Sequence, residues 1–214
     1  MKKIIFFDLD GTISDSGEGI VNAITYAERK LEYTPISLEN KKGCIGPPLV
    51  SSFMRLYSLS FDEAEHMIDV YREYYSDRGI FENYLYPNVK ETLELLYKKG
   101  FEMRICSAKP LVMVERVLKH FGVFEYFSAL QGAELHGEYP GKAAFIRSVL
   151  ENEPARAVMI GDRRDDIEGG KGNNIATIGV LWGYGSLEEL QNAGADFTVK
   201  NTAELISAIT HIFD

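Results

Sequence analysis

Apolar runs alternate with amphipathic stretches over most of the chain. The four apolar residues at 4–7 are typical of a strand buried on both faces of a parallel sheet. Beyond residue 84 the pattern predicts strands at 101–106, 155–160, 176–180 and 197–199. Apolar residues at helical spacing predict helices at 88–98, 110–120, 142–151, 165–173, 186–193 and 202–212. This order predicts an α/β fold, a Rossmann-like, doubly wound parallel sheet.

The stretch from 15 to 84 has a different pattern, in which we expect no strand. Apolar residues recur at helical spacing in its first part, at Ile20, Ala23, Ile24, Ala27 and Leu31. Glycines and prolines predict a loop at 35–50, and helical patterning returns at 49–78, with Ser60 and Glu63 at the positions of a capping box. This block interrupts the alternation just after the first strand.

We therefore predict two domains. A core domain would consist of residues 1–14 and 85–214, and an inserted all-α cap domain would consist of residues 15–84. The 214 residues are enough for one α/β core with a smaller insertion. Hydrophobic residues make up 45% and charged residues 26%, as in ordinary globular proteins.

Charge and cysteine content narrow the classes of partner and compartment. The net charge of −9, with no basic stripe to offset it, argues against a nucleic-acid polymer. Two cysteines, Cys44 and Cys106, make no disulfide framework, and we expect a cytoplasmic protein. No apolar run is long enough for a signal peptide or a membrane span. Four histidines show no metal or triad spacing and are expected to be solvated or capping: His66, His120, His136 and His211.

Polar residues gather where the predicted strands end. Asp8 and Asp10, with Gly11 and Thr12, follow the first strand. Other strand ends and one helix start supply the remaining candidates: Ser107, Ala108, Lys109, Lys142, Gly161, Asp162, Asp165 and Asp166. Because ligands of parallel sheets bind beyond the carboxyl ends of the strands, we expect these groups to meet at one edge.

This set of groups suits phosphoryl transfer. Buried carboxylates need a compensating cation, and Mg²⁺ prefers carboxylate and phosphate oxygens. One carboxylate can act as a nucleophile on phosphorus and a second as general acid and base, while a hydroxyl and a lysine hold the phosphoryl oxygens. These considerations leave open which of Asp8 and Asp10 is the nucleophile.

The ordered groups Asp8-Leu9-Asp10-Gly11-Thr12, Ser107, Lys142 and Gly161-Asp162 with Asp166 resemble the four motifs of the haloacid dehalogenase-like phosphatase superfamily. The resemblance covers essentially the whole chain. The helical insertion is similar to the small cap of phosphoglycolate phosphatases and 5′-nucleotidase-like members. The second aspartate of the first motif is absent from the dehalogenase branch, so its presence favours phosphate chemistry.

The resemblance implies a role for each matching residue. Asp8 would be the nucleophile, and Asp10 would be the acid and base and would offer its backbone carbonyl to Mg²⁺. Ser107 and Lys142 would hold phosphoryl oxygens. The implied metal-binding residues are Asp8, Asp10, Asp162 and Asp166. Asp166 would bind the metal directly or would contact a residue or water that does. The candidate substrate-binding residues are Gly11, Thr12, Ala108, Lys109, Gly46 and Pro47.

Three positions depart from the family pattern, and two of them, Ala108 and Arg163, bear on the identity of the substrate. Ala108 stands where phosphoglycolate phosphatases commonly carry Asn, Arg163 where Ser or Thr is common, and Ala143 where Pro is frequent. The implied activity is Mg²⁺-dependent hydrolysis of a small phosphorylated metabolite, with phosphoglycolate the leading candidate, by a monomer or homodimer. The alternatives are a 5′-nucleotidase, a phosphomutase, a binding protein without turnover and, from another class, a signalling receiver domain.

Overall fold

The computed structural model describes residues 2–135, 139–153 and 155–214. The chain forms two compact units. Met1–Ser14 with Leu85–Asp214 make the first, called the core unit below, and Asp15–Tyr84 make the second, called the helical unit.

A six-stranded parallel sheet forms the centre of the core unit. Its strands are β1 (Lys2–Phe7), β4 (Glu102–Pro110), β5 (Phe127–Ala133), β6 (Ala155–Gly161), β7 (Ala176–Val180) and β8 (Phe197–Val199). The order across the sheet is β5-β4-β1-β6-β7-β8, so the chain starts in the middle and winds outward in both directions. Phe7 of β1 pairs with Ile105 on one side and Ile160 on the other. The predicted doubly wound α/β sheet is confirmed.

Helices connect the strands of the core unit. They are α5 (Val89–Lys98), α6 (Leu111–Phe121), α7 (Lys142–Asn152), α8 (Arg164–Lys171), α9 (Leu187–Asn192) and α10 (Thr202–Phe213). The apolar run of β1 is buried on both faces, as Ile5 and Phe6 are completely inaccessible to solvent. On one face, Phe6 and Met159 pack against Ile146 of α7. This packing brings the carboxyl end of β1 close to the start of α7.

The bounds of two strands differ from the predictions. β4 continues to Pro110 instead of ending at residue 106, and its pairing with β5 shifts register between Cys106 and Pro110. β5 itself was not predicted, because its sequence FSALQGA contains polar and small residues and no long apolar run. Ser107, Ala108 and Lys109 therefore lie in the irregular last part of β4, between Cys106 and Pro110, the residues of this part that pair with β5.

The helical unit contains α1 (Gly17–Lys30), α2 (Leu38–Lys42), α3 (Leu49–Tyr57) and α4 (Phe61–Tyr75), followed by a 3₁₀ turn at Gly79–Phe81. The predicted capping box is confirmed, since Glu63 N donates to Ser60 Oγ and Ser60 N donates to Glu63 Oε2. The prediction of a continuous loop at 35–50 is wrong at α2. Ser37 starts this short helix by accepting a hydrogen bond from Asn40 N.

Two very short strands complete the secondary structure. β2 (Ser14–Asp15) and β3 (Tyr84–Leu85) pair in a separate two-stranded sheet at the points where the chain leaves and re-enters the core unit. We predicted no strand between residues 14 and 84. Two residues are too few to leave a periodic signal in a sequence.

None of the helices within the described ranges has the length and apolarity needed to cross a bilayer. Cys44 and Cys106 are both buried. Burial raises the pKa of the Cys106 thiol to about 12, as is typical of a cysteine that packs as a small core residue. One of the histidines assigned no metal role, His136, lies outside the described residues.

Candidate active site

Asp8 lies at the carboxyl end of β1 in the middle of the sheet. Its backbone N–H donates to Ile160 O at 2.9 Å, so the strand ladder fixes its position, and its side chain is almost completely buried. Gly11 then turns the chain with a φ of +84°, a conformation that other residues rarely adopt. The side chains of Asp10 and Thr12, on either side of this turn, are also buried.

Lys142 is the counter-charge of Asp8. It is the first residue of α7, is 4% exposed, and places its Nζ 2.8 Å from Asp8 Oδ2. The same ammonium donates to Oδ1 of Asp166. Burial alone lowers a lysine pKa, but the carboxylates of Asp166 and Asp8 outweigh it and hold the pKa of Lys142 well above its ordinary range. Lys142 is therefore a permanent cation between two carboxylates.

Three carboxylates converge at this edge of the sheet. Asp8, Asp162 and Asp166 are all buried, and each offers an oxygen that lies within 4.8 Å of those of the other two. Burial, followed by the charges of Asp166 and Asp8, raises the pKa of Asp162 to about 8. Burial likewise raises the pKa of Asp166 to about 7. Buried carboxylates this close together are stable as anions only when a cation balances them.

The hydrogen bonds of the cluster indicate which oxygens a cation could use. Asp166 is engaged on both sides, by Lys142 at Oδ1 and by Arg163 N at Oδ2, 2.9 Å away. Asp162 Oδ2 accepts from Tyr184 N at 2.7 Å and its Oδ1 from Thr12 Oγ1 at a long 3.3 Å. Asp8 Oδ1 is buried and has no hydrogen-bond partner within the described part of the chain.

This donor set fits Mg²⁺. The available ligands are carboxylate oxygens, which hard divalent cations prefer, and an orphaned buried oxygen is a position where a cation or a phosphoryl group would satisfy an otherwise uncompensated charge. On this geometry Asp8 and Asp162 would hold the ion directly, and Asp166 would orient Lys142.

The three candidate residues near the end of β4 differ in their contacts. Ser107 is buried, and its Oγ accepts a hydrogen bond from Lys109 N at 3.3 Å. Lys109 reaches the carboxylate of Asp10, with its Nζ 3.0 Å from Oδ1 and 2.8 Å from Oδ2. Ala108 between them is half-buried. Lys109 was predicted to contact the substrate, whereas in this structure it contacts Asp10, the second aspartate of the first motif.

Three further residues singled out in the sequence lie on other elements. Gly46 and Pro47 are half-buried residues of the helical unit, just before α3, and Gly46 has a φ of +100°. Arg163, one of the departures from the family pattern, places its Nε 2.9 Å from Glu189 Oε1. Glu189 thereby joins the start of α9 to the start of α8.

Sequence reasoning missed one segment that contacts the cluster. The residues from Trp182 to Gly185 follow β7, and the Tyr184 amide donates to Asp162 as described above. The signal was present, because a pair of glycines follows the carboxyl end of a parallel strand, where ligand sites form.

A parallel sheet that presents an unpartnered aspartate oxygen, a fixed lysine and further carboxylates at one edge has the features of a phosphoryl-transfer hydrolase. The sequence matches the haloacid dehalogenase-like hydrolase family over residues 5–180. The chain belongs to this family, and its fold and site make it a phosphatase of the haloacid dehalogenase-like type.

Three similarities illustrate the range of relatives. The chain is 36% identical to a 5′-nucleotidase from Pseudomonas aeruginosa, over 87% of this chain and 86% of that protein. It is 29% identical to a phosphoglycolate phosphatase from Vibrio parahaemolyticus, over 97% and 96%. A crystal structure of a predicted phosphatase from Clostridium acetobutylicum superposes with a TM-score of 0.92 at 37% identity, covering 99% of both chains.

Proposed function

We propose that the chain is a Mg²⁺-dependent phosphomonoesterase in which Asp8 accepts the phosphoryl group of a small phosphorylated metabolite. The observation that carries the proposal is the asymmetry of the Asp8 carboxylate. Its Oδ2 is held by Lys142, while its Oδ1 is buried and has no partner among the described residues. One oxygen is fixed and the other is left to attack phosphorus.

In the first half of the reaction, Oδ1 of Asp8 forms a bond to phosphorus and the ester P–O bond breaks. The alkoxide that leaves takes a proton from the carboxyl group of Asp10. Lys142 neutralises the negative charge of Asp8 before attack, and it stays within reach of the phosphoryl oxygens with Ser107. The product alcohol departs and the aspartyl-phosphate remains.

In the second half, a water molecule attacks the same phosphorus and passes its proton to Asp10. The bond between phosphorus and Asp8 Oδ1 breaks, and inorganic phosphate leaves. Asp10 is thereby returned to the acid form for the next cycle. Lys109, whose Nζ contacts both oxygens of Asp10, keeps this carboxyl group oriented for the two proton transfers.

Asp8 and Asp162, with the backbone carbonyl of Asp10, would hold Mg²⁺. When bound, the ion supplies positive charge to the phosphoryl oxygens and to the acidic cluster. Asp166 serves to orient Lys142, because its Oδ1 accepts a hydrogen bond from the Lys142 ammonium and its Oδ2 is held by Arg163 N.

For the substrate we propose phosphoglycolate or a nucleoside 5′-monophosphate. The sequence motifs favour the first, although Ala108 lacks the amide that phosphoglycolate phosphatases commonly carry. The higher identity to a 5′-nucleotidase, 36% against 29%, favours the second. We also propose that Asp15–Tyr84 acts as the cap, in which Gly46 and Pro47 would contact the substrate, and that the protein acts in the cytoplasm as a monomer or homodimer.

A substrate panel tests the proposal. The purified protein is assayed for phosphate release from phosphoglycolate, nucleoside monophosphates and sugar phosphates, with Mg²⁺ and with EDTA. We expect turnover that requires Mg²⁺ and a clear preference for one of the first two groups. Absence of turnover from every ester with Mg²⁺ present would contradict the enzymatic proposal, and turnover unaffected by EDTA would contradict the role of the metal.

A further inference from the structure

The segment Trp182–Gly185 lies outside the four motifs, yet it contacts two of them. It follows β7, whose strand neighbour β6 leads to Asp162. The indole N–H of Trp182 donates to the backbone carbonyl of Thr12 at 3.0 Å, and the amide of Tyr184 donates to Asp162 Oδ2 at 2.7 Å. One short segment therefore bonds to both the turn after β1 and the carboxylate after β6.

Among the described residues, the amide of Tyr184 makes the shorter of two hydrogen bonds to the Asp162 carboxylate. Thr12 Oγ1 approaches the other carboxylate oxygen only to 3.3 Å. A buried carboxylate with few donors has a preference for the neutral form, and a backbone amide opposes that preference. Because the amide belongs to the main chain, its direction depends on the path of the segment and not on a side-chain rotamer.

Two glycines allow the segment to run this close. A Cβ built on Gly183 would lie 2.3 Å from Gly11 O and 2.4 Å from Asp162 Cβ. A Cβ on Gly185 would lie 1.8 Å from Asp162 O. Real Cβ atoms do not approach other heavy atoms so closely, and these neighbours are backbone or near-backbone atoms that cannot move alone. Any side chain here would push the segment away from Gly11 and Asp162.

Gly11 completes the same packing from the opposite side. A Cβ on Gly11 would lie 2.2 Å from Asp162 Oδ2, the oxygen that the Tyr184 amide holds. The Asp162 carboxylate is thus enclosed between the turn at Gly11 and the segment at Gly183. Its orientation is decided by both.

We infer that Trp182–Gly185 is a positioning element for the cation site, which sets the direction of the Asp162 carboxylate and its distance from the turn that carries Asp10. The inference rests on the proposed function for the presence of Mg²⁺. It assigns a positioning role to residues that contact the turn at Thr12 and the carboxylate of Asp162. Groups that orient metal ligands in this way typically affect metal affinity by 10- to 100-fold when they are changed.

The test is Mg²⁺ binding to the full chain, measured by calorimetry without substrate. We expect Gly183→Ala to raise the dissociation constant of Mg²⁺ by about tenfold or more. Trp182→Phe, which removes the indole N–H together with part of the ring system and introduces no clash, is expected to raise it by a smaller factor. Gly172→Ala is the matched control, since a Cβ there would meet its nearest neighbour at 3.2 Å and the backbone is helical.

Turnover then provides a second readout. If the segment only positions the cation site, the turnover that Gly183→Ala loses at limiting Mg²⁺ returns at saturating Mg²⁺. An unchanged dissociation constant in both Gly183→Ala and Trp182→Phe would overturn the inference, and so would a loss of turnover that saturating Mg²⁺ does not restore. Should Gly183→Ala fail to fold, Trp182→Phe decides alone. A wild-type protein that binds no Mg²⁺ would instead contradict the proposed function.

Discussion

The ammonium of Lys142 lies 2.8 Å from Oδ2 of Asp8, and both side chains are almost completely removed from water. Lys142 also donates to Asp166, so one cation is shared by two buried carboxylates. A buried charge that loses its partner has a large cost, because neither water nor another group can replace the missing interaction. This relationship makes Lys142 important for stability as well as for catalysis.

Replacing Lys142 is expected to destabilise the fold and to stop turnover. Lys142→Met keeps the length of the side chain but leaves Asp8 and Asp166 without their counter-charge, which costs about 3–5 kcal/mol in typical buried pairs. The free energy of unfolding in urea, measured with EDTA, checks this value. Lys98→Met is the control, since Lys98 pairs with Glu94 on an exposed helix surface and its loss should leave the unfolding curve unchanged. Equal stability of Lys142→Met and wild type would contradict the buried pair.

The acidic cluster predicts how stability depends on pH and Mg²⁺. In the metal-free protein the pKa of Asp162 is raised to about 8 and that of Asp166 to about 7, from an ordinary value of 3.8. The folded state thus binds these protons more tightly than the unfolded state. Their stabilising contribution is complete below pH 3.8 and is lost as the pH rises towards 8.

Mg²⁺ should counteract this loss, because it binds the ionised carboxylates. Thermal unfolding with Mg²⁺ and with EDTA is therefore expected to show a larger Mg²⁺-induced rise in Tm at about pH 8 than at about pH 6. A rise that is the same at both pH values, or larger at the lower one, would argue against metal binding by these carboxylates.

Lys109 offers a test between positioning and substrate binding. Its Nζ contacts both oxygens of Asp10, so we expect Lys109→Met to lower kcat by up to about 10²-fold, within the range that general acid–base catalysis contributes, with little change in KM. Lys109→Arg should retain part of the activity, since it keeps the charge. A raised KM with unchanged kcat would return Lys109 to the substrate-binding role that its sequence position suggested.

The helical unit offers a prediction independent of catalysis. Ser60→Ala removes the side chain that accepts the Glu63 amide at the start of α4, which should lower the free energy of unfolding by about 1 kcal/mol. Urea unfolding followed by circular dichroism measures this change. Ser207→Ala is the control, because the exposed Ser207 Oγ bonds back to Ala203 O within α10 and its loss should be neutral. Equal effects of the two substitutions would show that the cap at Ser60 contributes nothing specific.

The sequence predicted the strands that carry the site because their signals are strong. The apolar runs before Asp8 and Asp162 are continuous, and such runs occur where a strand is buried on both faces. β5 was not predicted, because its polar and small residues form no continuous apolar run. α2 was not predicted, because five residues are too few to show helical periodicity. Long elements and fully buried strands could therefore be predicted from the sequence pattern, and short or half-polar elements could not.

The contacts of side chains were less predictable than their positions. Ligands of parallel sheets bind beyond the carboxyl ends of the strands, and this rule predicted that Asp8, Asp162 and Asp166 would meet at one edge, where the structure has them. It could not indicate that Lys109 would turn towards Asp10, since that depends on the register shift near the end of β4. Nor could it indicate that the Tyr184 amide would bond to Asp162, because backbone donors leave no trace in residue types.

The most direct test of the account is the turnover of Asp8→Asn with the preferred substrate of the wild type at saturating Mg²⁺. Asp165→Asn, an exposed aspartate on α8, is the matched control. We expect no phosphate release above background from a folded Asp8→Asn protein and unchanged release from the control. Turnover of Asp8→Asn close to that of the wild type would contradict the assignment of Asp8 as the group that accepts phosphate.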